Sequence, residues 1–220
     1  MKLRIFVNVV IIILLLGCDK MDSIHEKYYE LSERVYVGIP DLQSVNPGYN
    51  RALVSWKISR DPKIDRCCIY WSKKDSMVVS PNYSDTIMRQ MVELPEGIYR
   101  IEMINWSKDG NRSLVKSMSV ETYGDEYRSK LLARPISSVV RDGDDVTIKW
   151  GSRESCVYVD LIYTDLEGFD KTVRINMNEY ETILEKCSDN RISYVSYFLP
   201  FENAVDTVAI DPEFIDTPSL

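Results

Sequence analysis

Ala52, Val54, Trp56 and Ile58 alternate with Leu53, Ser55 and Lys57, and 94 residues after Trp56 the pattern returns as Val146-Thr147-Ile148-Lys149-Trp150. A period of two sends successive side chains to opposite faces, which a strand does and a helix does not. Two more landmarks recur at almost the same offset. Ile69-Tyr70 is answered by Ile162-Tyr163, 93 residues on, and Tyr99 by Tyr194, 95 residues on. A near-constant offset indicates a duplicated unit of about 100 residues, the size of one β-sandwich domain. The chain is therefore expected to be all-β, with two sandwiches in tandem.

Within the first unit the alternation and its punctuation predict further strands. They run from about Arg66 to Lys73, from Asp85 to Val92, through Tyr99, Ile101 and Met103 after the turn Pro95-Glu96-Gly97, and from Ser113 to Glu121 after Asp109-Gly110-Asn111. The pattern stops at Tyr123-Gly124-Asp125-Glu126-Tyr127, which divides the first sandwich, residues 35–123, from the second, 124–220. Each unit resembles the immunoglobulin-like fibronectin type III fold, in which a tryptophan on the second strand is buried under the opposite sheet; Trp56 and Trp150 fit that role. Leu94-Pro95 followed by Tyr99 resembles the tyrosine corner of such sandwiches. The second unit lacks the equivalent proline.

The N-terminus reads as an export signal. Lys2 and Arg4 precede an apolar run from Ile5 to Leu16, broken only by Asn8, that leads into Leu15-Leu16-Gly17-Cys18. A run of about a dozen residues is too short for a bilayer-crossing helix, which needs roughly 20. The tetrapeptide resembles a lipobox, so residues 1–17 are expected to be a removed lipoprotein signal peptide and Cys18 the acylated first residue. Asp19, Lys20, Met21 and Asp22 resemble the residues that direct some outer-membrane lipoproteins to the cell surface. Residues 18–34 then form the lipidated cysteine and a tether, whose Glu26–Leu31 stretch is too short to hold a helix alone.

Removing residues 1–17 takes away two basic groups and no acidic ones, deepening the net charge from −7 to −9. With no basic stripe interleaved with aromatics, nucleic acid is not an expected partner. The only histidine, His25, lies in the tether, so neither a Ser-His-Asp or Cys-His constellation nor a multi-histidine metal site is expected. No phosphate-cradling glycine loop, zinc spacing or dinucleotide fingerprint occurs, and no cofactor is implied. Cys67 and Cys68 are neighbours on a strand and point to opposite faces. Cys156 and Cys187 either form a disulfide or are buried thiols. Asp142, Asp144 and Asp145 around Gly143 read as a hairpin turn rather than a calcium loop, because the twelve-residue ligand pattern does not continue. Glu93 and Glu96 read as solvated turn residues.

Two residues stand out as ligand-binding candidates. Trp106 shares a face with Arg100, Glu102 and Ile104, opposite the presumed core set, and is either exposed for a ligand or packed between the units. Trp71 shares a strand with Ile69 and is the more buried of the two. An exposed aromatic ring is what stacks against the apolar face of a sugar.

The segments Tyr36-Val37-Gly38-Ile39-Pro40-Asp41, Pro47-Gly48-Tyr49-Asn50-Arg51-Ala52, Leu94-Pro95-Glu96-Gly97-Ile98-Tyr99, Gly110-Asn111-Arg112-Ser113 and Tyr123-Gly124-Asp125-Glu126-Tyr127 resemble a domain family of unknown function. That family is found in outer-membrane lipoproteins of Bacteroides-type bacteria. Asp61-Pro62, Ile69-Tyr70-Trp71, Phe198-Leu199-Pro200 and Ala204-Val205-Asp206 also match. The resemblance implies a surface binding or scaffolding role beside polysaccharide-uptake systems, with a glycan or an outer-membrane uptake protein as partner, and carries no catalytic residues. Two other readings stay open: a glycan-cleaving enzyme working with a carboxylate pair, and a structural spacer. With Leu220 soon after the second sandwich, a spacer is expected to bind its cargo from outside.

Overall fold

The computed structural model describes residues 36–218. The expected signal peptide and tether, with Cys18 and His25, lie outside the described residues.

The first sandwich sets three strands over four. Strands β1 (Asp41–Gly48), β2 (Arg51–Lys57) and β5 (Ile87–Glu93) form an antiparallel sheet in the order β1-β2-β5. The second sheet has the order β4-β3-β6-β7, with β3 at Ile64–Tyr70, β4 at Ser76–Val79, β6 at Gly97–Ser107 and β7 at Lys116–Thr122. The alternation read from the sequence is what faces the two sheets toward each other. Val54, Trp56, Ile69, Leu94, Ile101 and Met103 are all buried in one cluster between them.

The same order repeats. Strands β8 (Ile136–Asp142), β9 (Asp145–Trp150) and β12 (Glu181–Leu184) form β12-β9-β8, opposite a sheet of β11 (Asp170–Asn176), β10 (Cys156–Thr164) and β13 (Arg191–Phe198). The last edge is split between β14 (Val208–Ala209) and β15 (Glu213–Asp216), both paired with β13. Between the pieces the pairing slips by one residue, from Tyr197↔Ala209 to Tyr194↔Glu213. Pro212 lies in that gap and has no N–H for a ladder. Trp150, Ile148, Leu161, Tyr163, Tyr194 and Phe198 are buried in a second core. Both units thus carry the A-B-E and C′-C-F-G sheets of a fibronectin type III sandwich. A short helix, α1 (Asp125–Ser129), separates them.

Several expectations are corrected. In the first unit β1 and β4 were not expected; β1 ends on Pro47 and Gly48, residue types that strands disfavour. The third strand stops at Tyr70 rather than Lys73, because the Ser72 hydroxyl accepts the Lys74 and Asp75 amides at 3.1 and 2.9 Å and closes a turn. The final strand of the unit starts at Lys116, since the Ser113 amide bonds the Asn105 carbonyl outside the regular ladder. Ile162 does not take the place of Ile69: Ile69 is fully buried and Ile162 is 46% exposed, with Leu161 and Tyr163 as the core residues.

Cys156 and Cys187 are both free and buried. They lie at opposite ends of β10, Cys156 on its first residue and Cys187 bridged to Asp165 just past its last. Nine strand residues span roughly 25–30 Å, far beyond disulfide reach. The tyrosine corner does not form locally in either unit. At the first, the Thr122 hydroxyl reaches the Pro95 carbonyl at 2.7 Å, while the half-buried Tyr99 ring packs on the core. At the second, the Tyr194 hydroxyl donates to the carbonyl of Arg134, 60 residues earlier, at 3.3 Å.

Candidate functional site

The outer face of the β4-β3-β6-β7 sheet follows from the alternation that builds the core. With Cys67, Ile69, Ile101 and Met103 turned inward, Arg66, Cys68, Tyr70, Arg100, Glu102, Ile104 and Trp106 are left on the other face. The β3–β6 register sets Arg66 opposite Trp106, Cys68 opposite Ile104 and Tyr70 opposite Glu102. Trp71 follows β3 directly, in the turn that leads to β4; it packs partly on the core and partly on this outer surface. The result is a cleft of about 550 Å³. It is lined by Tyr70, Trp71, Ser72, Lys73, Arg100, Glu102, Ile104, Trp106 and Arg112. That volume is within the few-hundred to one-thousand Å³ range of small-ligand sites.

Both tryptophans singled out in the sequence therefore border one concavity, and both are half-buried. Trp106 is fixed on one side by the Arg66 guanidinium, 5.8 Å above its ring, and on its backbone by a bridge to Arg112. Its indole N–H is the one buried side-chain polar atom among the described residues without a hydrogen-bond partner. Arg100 is held by Glu102 at 3.1 Å and donates to the Ser117 hydroxyl at 2.9 Å. Burial first, and the neighbouring Cys68 thiol second, raise the Tyr70 phenol above its ordinary value, against Trp106 and Arg66. Tyr70 thus stays a hydroxyl donor across the physiological range.

The cleft is bordered by two tryptophans, a tyrosine and three cationic side chains, Lys73, Arg100 and Arg112. Glu102 is its single lining carboxylate, whereas glycoside hydrolysis requires two. The other acidic residues considered in the sequence serve the fold. Glu96 is not simply solvated: its carboxylate accepts the Glu126 and Tyr127 amides, each at 2.8 Å, and so caps α1. Asp142 and Asp145 pair across a two-residue hairpin whose Gly143 has φ +59°, the positive value that the first position of a type II′ turn needs. A second concavity, of about 310 Å³, lies beside α1. Its Asp125 and Asp211 are already engaged, by the Tyr49 hydroxyl and by Arg128.

Sequence reasoning placed Arg100, Glu102 and Ile104 beside Trp106 but missed Tyr70, Lys73 and Arg112 as members of the same site. Strand register brings Tyr70 in, and register is invisible before the partner strands are known. Arg112 lies in a segment noted only for its family resemblance.

A search of curated proteins returns no match. Among solved structures, the chain is similar to the FN1–FN3 domains of chicken CNTN1, at 15% identity and a TM-score of 0.41, covering 83% of this chain and 67% of that one. It is also similar to a segment of two fibronectin type III domains from chicken tenascin, at 15% identity and a TM-score of 0.31, covering 81% of this chain and 99% of that one. The fold assignment stands on the strand order above. A match to a single family extends over residues 18–208. The chain belongs to the family of domains of unknown function DUF4998.

Proposed function

We propose that the protein is a non-catalytic envelope lipoprotein, held in the outer membrane by an acylated Cys18 and displayed at the cell surface, whose first sandwich binds a saccharide between Trp71 and Trp106. The observation that carries the binding role is that two tryptophans 35 residues apart in sequence line one cleft of about 550 Å³. Stacking on such rings suits the apolar face of a pyranose, and the flanking hydroxyl, guanidinium and amine groups suit its hydroxyls. The anchoring reading is supported by the order of basic start, apolar core and lipobox, and by a family match that opens on residue 18.

The test of binding is titration of the mature chain, without its acyl group, against a panel of neutral and charged oligosaccharides. Binding is expected, with a loss of about tenfold or more in Trp106→Ala and Trp71→Ala, the size usual for an aromatic anchor. A folded protein that binds none of the panel overturns the reading. Anchoring is tested separately: Cys18→Ala is expected to abolish incorporation of labelled fatty acid and to release the protein from the membrane fraction. Unchanged membrane retention and labelling would rule the anchor out.

A further inference from the structure

We propose that the Trp71–Trp106 cleft selects saccharides bearing a carboxylate, with Arg112 and Lys73 as the groups that recognise it; this rests on the saccharide reading above. The chain as a whole is acidic, with 34 acidic residues against 27 basic, so a surface of average composition would carry more carboxylates than cations. The cleft reverses that balance. Lys73, Arg100 and Arg112 line it against Glu102 alone, and Arg66 sets a further guanidinium over the Trp106 ring.

These cations are not equally available. Arg100 is occupied by Glu102 and the Ser117 hydroxyl, and Arg66 is paired with Asp65 at 3.1 Å. Arg112 and Lys73 are exposed at the rim, and neither has an ion-pair partner among the described residues. A planar guanidinium presents two parallel N–H donors that fit the two oxygens of a carboxylate. A cluster of one sign in a concave, partly apolar site also focuses its field on an incoming anion. Rings for the apolar face of a sugar and unpaired cations at the edge are the two halves of a uronic-acid site.

The experiment titrates the mature chain with a short oligogalacturonate and with its methyl ester, which has the same rings and hydroxyls but no charge. The acid is expected to bind about tenfold or more tightly than the ester, the equivalent of one hydrogen bond to a charged group. Arg112→Gln and Lys73→Gln should weaken the acid by a larger factor than the ester, which loses only hydrogen bonds to its hydroxyls. Raising the salt concentration should weaken the acid alone. Both side chains are exposed, so the variants are expected to melt with the parent, and circular dichroism checks this. An ester that binds as tightly as the acid overturns the selection while leaving the saccharide reading intact, and so does acid binding that neither substitution changes. If neither probe binds but neutral sugars do so through Trp106, the inference falls alone. If nothing in either panel binds, both fall.

Discussion

Arg134 shows how much one residue can determine without leaving a trace in sequence pattern. It is 1% exposed, and its guanidinium donates to the carbonyls of Gly151, Asn176, Met177 and Glu179 at 2.9–3.2 Å, from between Trp150 and Tyr180. Burial lowers its pKa from the ordinary value, but a guanidinium remains charged in a protein. Arg134→Met would take that donor from all four carbonyls, of which Asn176 keeps the Glu179 amide at 3.1 Å, at about 1–3 kcal/mol for each one left buried and unpaired. We expect a loss of about 3 kcal/mol or more in denaturant unfolding of the second sandwich. Arg134→Lys should recover only a minor part, since one ammonium cannot span the same fork. Nothing in the alternation of the sequence marks this arginine, because its role depends on where two separate carbonyl-bearing segments, at Gly151 and at Asn176–Glu179, come together. The tryptophans were different. Trp56 and Trp150 were legible because each sits in an alternating run, and burial follows from phase. The cysteines were half legible: opposite faces for Cys67 and Cys68 followed from adjacency, whereas the fate of Cys156 and Cys187 required knowing that a whole strand lies between them. Burial pushes the Cys67 thiol up to about 12, which leaves it an inert core group.

At the scale of elements, the two strands missed in the first unit, β1 and β4, both lie at sheet edges, and in the second unit the repeated landmarks marked only β9, β10 and β13. β1 carries Pro47 and Gly48, and the close approach of the second unit explains why the glycine is there: a Cβ on Gly48 would lie 2.6 Å from both Asp206 Oδ2 and Val205 Cγ2. The helix α1 is a clearer case of an element that its own sequence cannot sustain. Five residues are too few for an isolated helix, and Gly124 at its start provides no side-chain cap. The cap comes instead from Glu96, 30 residues earlier, whose backbone amide is itself held at 3.1 Å by the Asn50 side chain. Asn50 has φ +52°, a left-handed conformation that asparagine tolerates better than most residues. Glu96→Ala should therefore cost about 1 kcal/mol, the usual value of a lost cap, and its effect should be local. Amide hydrogen exchange should speed up at Glu126 and Tyr127 while β2 and β6 keep their protection. Glu96→Gln, which retains an acceptor oxygen, should restore part of that protection. Equal exchange in the parent and both variants would mean that the carboxylate does not cap the helix.

Across the whole molecule, the two sandwiches are joined by more than a linker. The loop after β13 reaches back to the β1–β2 turn, where Asp206 accepts Arg51 Nε at 2.8 Å, Arg51 Nη2, and the Tyr49 amide at 3.0 Å. The Tyr123 hydroxyl donates to the Asp206 carbonyl at 2.6 Å, and the Val205 amide donates to the Pro47 carbonyl at 2.8 Å. Both halves of this clamp lie in segments noted for family resemblance, yet their meeting could not be read from either segment alone. The Arg51 guanidinium first, with the Tyr49 amide assisting against burial, holds the Asp206 carboxyl below its ordinary value. A depressed folded pKa gives stability that is fully present above the unfolded value of about 3.9 and lost as pH falls through the folded one. The clamp should thus be intact at neutral pH and released only below about pH 4. Because Arg51 is 40% exposed, screening reduces the contribution to about 1–2 kcal/mol. Asp206→Asn should remove it at neutral pH. A parent that unfolds in one calorimetric transition should split into two in the variant, as the sandwiches lose their mutual support, and small-angle scattering should show a larger radius of gyration. The cleft is built on the outer face of the β4-β3-β6-β7 sheet from residues other than the clamp's, so saccharide binding by the variant should stay at the parent level. If binding fell together with the clamp, the orientation of the second sandwich would have to be part of the site. If instead neither calorimetry nor scattering changed, the sandwiches would be held by the remaining backbone contacts, and the Arg51–Asp206 pair would carry no weight in joining them.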